Sequence, residues 1–141
     1  MRAAEILYPI LALAAWTGLV ALLIPIARFR SAFRGEVQAD DFKFGESASV
    51  PAQVRIPNRN YINLLEAPML FYLACVLLYV TSGVTFAAVA LAWMYVALRV
   101  VHSMIHLTYN GVQHRLIAFA VSNAVLVALW VVVGFHVVSG A

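Results

Sequence analysis

Four long runs of apolar residues, separated by short polar clusters, set the plan of the chain. They cover about 6–27, 60–80, 84–108 and 115–138. The first, Ile6 to Ala27, holds 22 residues without a charge. As a helix rising about 1.5 Å per residue it spans a hydrocarbon core of roughly 30 Å. It is too long for a signal-peptide core, and Arg28-Phe29-Arg30 follows it where a cleavage site would stand, so the helix is expected to be retained. The second run opens with two polar turns and continues as a clean apolar stretch from Ala67 to Val80. Thr81-Ser82-Gly83 is short enough to make runs two and three an antiparallel hairpin, and Asn110-Gly111 marks the turn between runs three and four. The pattern predicts an all-α fold: a four-helix transmembrane bundle, up-down antiparallel, forming one domain over 1–141.

The segment from Arg28 to about 59 departs from this plan. It is long for a loop in a compact bundle, mixes Arg28, Arg30, Arg34, Lys43 and Arg55 with Glu36, Asp40, Asp41 and Glu46, and carries Pro51 and Pro57, which argue against one continuous helix there. Nearly all the Lys and Arg residues, including Arg59 and Arg115, fall on the side shared by the first and third loops, and Arg2 stands alone on the other. The positive-inside rule therefore predicts cytoplasmic loops at 28–59 and 109–115 and both termini on the opposite side.

Composition agrees with a membrane class. Hydrophobic residues make up 65% of the chain and charged residues 11%, against about 25% charged in soluble domains; mean hydropathy is +0.93. The single cysteine, Cys75, lies in an apolar run, so no disulfide within the chain is possible, and nothing near it would make it reactive.

The chemistry lies in the polar residues inside these helices, which are costly at membrane depth and usually face a bundle interior or a watery cavity. Arg59, Asn63 and Glu66 are spaced i, i+4, i+7 in the second span, and Arg99, His102 and His106 are spaced i, i+3, i+7 in the third. Each set forms a helical stripe, and Tyr95 and Tyr109 extend the second. Both stripes lie near the same membrane face, so they can meet in one cleft, with Arg28 and Arg115 crowning it from the loop boundaries. Such a cleft suits a small anion that also carries an ammonium group, because arginine forks grip carboxylates and a glutamate takes the amine. The plainer reading is an Arg99–Glu66 ion pair locking two helices. His102, His106 and Glu66 also offer three metal ligands, but Arg99 on the same face repels a cation, so neither metal nor haem is expected. His114 and His136 are assigned to loop and interface, Ser122 and Asn123 to helix–helix hydrogen bonding, and the tryptophans to packing or lipid contact. Pro68 should free the carbonyl of Leu64 and kink the second span.

Arg59-x-x-x-Asn63-x-x-Glu66-x-Pro68, then Arg99-x-x-His102 and a basic Arg115, resembles the MAPEG family, the membrane-associated proteins in eicosanoid and glutathione metabolism. The resemblance covers nearly the whole chain. It implies a left-handed bundle assembled as a homotrimer, with glutathione as co-substrate in a cleft between protomers near the cytoplasmic side. Arg28, Arg59, Asn63, Glu66 and His102 match the glutathione-holding positions, Arg115 the arginine that stabilises the thiolate, and Arg99 an arginine that is partly structural. His106 stands where many members have tyrosine, and Leu116 where the prostaglandin E synthase pattern has serine; His106 or Tyr109 is expected to donate to the thiolate instead. The implied function is a glutathione transferase or peroxidase attacking lipophilic electrophiles. Its partners are glutathione, a lipophilic substrate, the bilayer and two more copies of the chain; nothing points to nucleic acid. The rival reading is a non-catalytic binding or assembly subunit whose cleft holds a lipid headgroup or locks helices. A transporter or channel is weaker, because one acidic residue at depth makes a poor ion path.

Overall fold

The computed structural model describes residues 2–140. It is helical throughout, and no strand forms among the described residues. A 3-10 turn at Ala3–Ile6 leads into α1 (Leu7–Phe33), and a second lies at Ala39–Phe42 in the connection that follows. Next come α2 (Ala52–Glu66) and α3 (Pro68–Val80), which together make one span, then α4 (Phe86–Leu107) and α5 (Val112–Ser139). All four spans are long and apolar enough to cross a membrane. They run alternately up and down, α4 packing most extensively against α5 and α1 against α2. Large apolar side chains such as Leu11, Leu22, Met69 and Phe135 stay on the outside. In a multi-pass membrane protein such side chains meet lipid at no hydrophobic cost, so the interior is defined by close packing and hydrogen bonding.

Helix α1 continues past the end of its apolar run, because Arg28–Phe33 contains no helix breaker. It stops at Gly35, whose left-handed φ of +71° suits glycine and whose N–H donates to the Ala32 carbonyl at 2.9 Å. The second span begins as early as Ala52, after Pro51, and takes Pro57 inside its second turn. The connection is therefore only 34–51, shorter than the 28–59 expected from hydropathy. It is folded: Val37, Val50 and Val54 form a small core with Phe42 packed against it. Asp41 accepts from the Gln38 N–H at 2.8 Å and from the hydroxyls of Ser47 and Ser49 at 3.2 Å each. The Gln38 N–H, helped by the two hydroxyls, holds the Asp41 carboxyl below the usual carboxylate range.

The expected break at Pro68 is present: α2 ends at Glu66, Ala67 is a turn residue, and Pro68 opens α3. Proline has no N–H for the Leu64 carbonyl.

The central helix is α4. Its buried residues, Ala88, Ala92, Tyr95, Arg99, His102, Ser103 and His106, follow the helical repeat, so one face carries alanines at one end and polar groups at the other. At the apolar end Phe71 stacks on Tyr95 with ring centroids 4.7 Å apart. In the middle, Ser103 Oγ accepts from Trp16 Nε1 at 3.0 Å and from Asn60 Nδ2 at 2.7 Å, tying α1, α2 and α4 together. Bonds of this kind contribute about 0.6–2 kcal/mol each between membrane helices.

Candidate functional site

The polar end of α4 backs a cleft of about 310 Å³ lined by Arg55, Arg59, Asn63, His106, Asn110 and Arg115, together with Ala52, Ile56 and Ile62. That volume sits at the lower end of the roughly 300–1,000 Å³ typical of small-molecule sites. Three arginines and no carboxylate line it, so its potential is positive and its complement is an anion. Helix α2 supplies Arg55, Arg59 and Asn63, α4 supplies His106, the α4–α5 turn supplies Asn110, and the first turn of α5 supplies Arg115.

Arg115 is held at several points. Its guanidinium Nη1 donates to Asn110 Oδ1 at 2.5 Å, its carbonyl accepts from His102 Nδ1 at 3.0 Å, and its N–H reaches the Gly111 carbonyl at 3.0 Å. Its Nε is buried without a hydrogen-bond partner in the chain, as is His106 Nδ1. Arg115 and Asn63 also border a second cavity of about 250 Å³ with His102, Val112, Leu116 and Phe119, so Arg115 stands between a basic cleft and a more apolar one.

Behind the cleft Arg99 is sealed at 0% exposure. It does not pair with Glu66. Its Nη2 donates to the Asn63 carbonyl at 2.6 Å, and its guanidinium lies 5.8 Å from the Phe119 ring centroid. The Asn63 carbonyl lies beside the helix break at Ala67-Pro68, where the backbone needs donors, so Arg99 joins α2 to α4 without an acid.

The orientation of α2 explains where Glu66 goes. The helix buries Val54, Pro57, Asn60 and Leu64. At about 100° per residue the Arg59–Asn63–Glu66 stripe is rotated off that face. Asn63 sits at the edge and bridges both cavities, while Arg59 and Glu66 are exposed, Arg59 over the cleft and Glu66 outside it. Arg28 also lies elsewhere. Its guanidinium stacks 4.4 Å above the Phe42 ring and bonds Glu46 at 3.5 Å, the one ion pair among the described residues. Tyr109 points outward, its hydroxyl 2.9 Å from His114 Nδ1. His114 is in the first turn of α5, not in a loop. Within one chain the structure thus gathers Arg59, Asn63, His106 and Arg115 in the cleft, with Arg99 and His102 against it. Arg28, Glu66 and Tyr109 lie apart.

A family model described as the MAPEG family matches residues 6–135, nearly the whole chain. The chain belongs to the MAPEG family. No curated protein and no solved structure matches it. MAPEG members include glutathione transferases and related membrane proteins, so the basic cleft lies in a glutathione-related scaffold. No group of three or more His, Cys, Asp or Glu capable of holding a metal ion occurs among the described residues of this MAPEG chain.

Several residues that build the site carry little signal in the sequence. Arg55 reads there as loop charge and Asn110 as a turn, yet both line the cleft. Asn60 and Ser103 carry no charge to mark them, and Trp16 reads as packing or lipid contact yet donates to Ser103. Small polar residues at i+4 from a buried arginine, as Ser103 is to Arg99, were the available signal.

Proposed function

We propose that this chain binds glutathione in the Arg59–Asn63–His106–Arg115 cleft and promotes its ionisation for attack on lipophilic electrophiles. The observation that carries the reading is the set of three arginines around one cleft with no acid in its lining. Glutathione has two carboxylates and one ammonium group. Arg55 and Arg59, at the open side of the cleft, suit the carboxylates through bidentate hydrogen bonds. Arg115 suits the sulfur, since a neighbouring cation favours thiolate over thiol.

The chemistry is that of a nucleophile. The thiol proton leaves to solvent, the thiolate attacks an electrophilic carbon, a C–S bond forms and the leaving group departs with its electron pair. A free thiol ionises near pH 8.5, and lowering that by about two units corresponds to about 2.7 kcal/mol. An arginine in a poorly hydrated site supplies that order of stabilisation. His106, which lines the cleft, is the better second donor to the thiolate, because Tyr109 is exposed and engaged with His114. The adjoining cavity at Leu116 and Phe119 gives an electrophile a route from the bilayer side.

In this reading the assembly is a homotrimer with cytoplasmic loops and both termini on the opposite side. Protomer contact is then what brings Glu66, for the ammonium, and Arg28 into play, since in one chain Glu66 is exposed and Arg28 is held by Phe42 and Glu46, both away from the cleft. One observation favours a binder without turnover: Leu116 and His106 stand where hydroxyl groups serve other members.

Thermal unfolding of the detergent-purified protein with glutathione, S-methylglutathione or glutamate tests the site. Glutathione should raise Tm more than either comparator, and Arg59→Ala should remove the effect. Equal stabilisation by glutamate would overturn the reading. Conjugation of a generic aromatic electrophile then separates enzyme from binder.

A further inference from the structure

The turn before α5 has a feature that helix closure leaves unexplained. Asn110 adopts a left-handed backbone, φ +51°, and its N–H donates to the Ile105 carbonyl at 2.8 Å, ending α4. Glycine would serve that geometry at lower steric cost. The side chain therefore needs its own reason, and the structure provides one: its Oδ1 accepts from Arg115 Nη1 at 2.5 Å while the residue itself lines the cleft. Among the described residues no other side-chain acceptor holds that guanidinium.

We propose that Asn110 is the positioning residue for Arg115, fixing its guanidinium between the two cavities so that it faces the glutathione sulfur. This rests on the glutathione reading above. An arginine side chain is long and rich in rotamers. His102 and the Gly111 carbonyl hold only the Arg115 backbone; among the described residues Asn110 alone holds the charged end. A neutral amide is suited to the task, because it orients the guanidinium and leaves its positive charge available to an anion. An aspartate here would neutralise that charge.

The test is the ultraviolet thiolate absorbance of glutathione bound to the full chain in detergent, in wild type, Asn110→Gly, Arg115→Ala and the double variant. Asn110→Gly keeps the left-handed turn and removes only the acceptor, so Tm should hold. The thiolate signal should fall, with the ionisation constant read from its pH dependence lowered between roughly 10- and 100-fold, the weight of a hydrogen bond to a charged group. The double variant should fall no further than Arg115→Ala. An unchanged signal in Asn110→Gly with a strong wild-type signal would overturn this inference and leave the glutathione reading standing. Losses that multiply in the double variant would overturn it too, since Asn110 would then act on the ligand directly. A wild-type protein that holds no thiolate would sink the glutathione reading and this inference with it.

Discussion

The two turns that join the last three spans share two closing hydrogen bonds and differ in what their side chains leave open. At the α3–α4 turn, the Thr81 hydroxyl bonds the carbonyl four residues back at 2.7 Å, Gly83 N–H bonds the Leu78 carbonyl at 2.8 Å, and Ser82 is left-handed at φ +59°. The α4–α5 turn has the same two bonds, Thr108 at 2.7 Å and Asn110 N–H to Ile105 at 2.8 Å, but here the left-handed residue, Asn110 at φ +51°, is itself the closing donor. At the first turn the neighbouring helix closes the space. His136 Nε2 lies 3.0 Å from the Thr81 carbonyl, and its ring fills the place a side chain at Gly83 would take. At the second turn Asn110 and Arg115 border a cleft, with Arg115 Nε and His106 Nδ1 buried and free of partners. Helix closure is generic backbone chemistry; the site is made by side chains that the same turn leaves unsatisfied.

The contrast predicts that damage at one end stays at that end. Arg115→Ala should have the largest effect, lowering glutathione conjugation by about 100-fold, or about 2.7 kcal/mol, with a Tm near that of wild type. A loss of Tm with unchanged conjugation would assign Arg115 to structure. Next is Gly83→Ala at the closed turn, whose Cβ would lie 2.4 Å from the His136 ring. It should cost about 1–3 kcal/mol, as overpacking does, through loss of the His136–Thr81 contact. Thermal unfolding reads the cost, and the Tm increment from glutathione should match wild type; a lost increment would join the two ends. Ser103→Ala removes the acceptor shared by Trp16 and Asn60 and should cost about 1–2 kcal/mol. Paired with Asn60→Ala it should show sub-additive loss, and full additivity would mean the two do not bond.

The smallest effect belongs to the folded connection. The Gln38 N–H holds the Asp41 carboxyl low, so its contribution is present above the unfolded carboxylate value of about 3.9 and fades as pH falls through the lower folded value. Protection of the Gln38 amide, its exchange rate relative to an unstructured chain at the same pH, should weaken on acidification in wild type and be weak at every pH in Asp41→Ala.

The four spans were legible because hydropathy reads runs, and a membrane core demands runs of a set length. The α4 stripe was legible because charged and imidazole side chains at i, i+3, i+7 can share only one face. The facing of α1 and α5 was not, since lipid and interior are both apolar and leave no pattern to distinguish them. On α2 the charged stripe of Arg59, Asn63 and Glu66 is the stronger pattern in the sequence, yet Asn60 is the polar residue turned fully inward. Arg28 followed the loop instead of the cleft because Glu46 and the Phe42 ring are its nearest partners, a long-range contact that spacing does not encode. Asn110-Gly111 was readable as a turn but not as a guanidinium acceptor, because that role exists only once α5 has started and Arg115 has swung back over it.

Proton release on mixing glutathione with the purified protein at pH 7, measured by calorimetry in buffers of different ionisation enthalpy, tests the central claim most directly. Glutathione should release about 0.7 proton per occupied site, the difference in thiolate fraction at pH 7 between ionisation near 6.5 and near 8.5, and S-methylglutathione none. Binding of glutathione with no proton release would show that the basic cleft does not hold a thiolate.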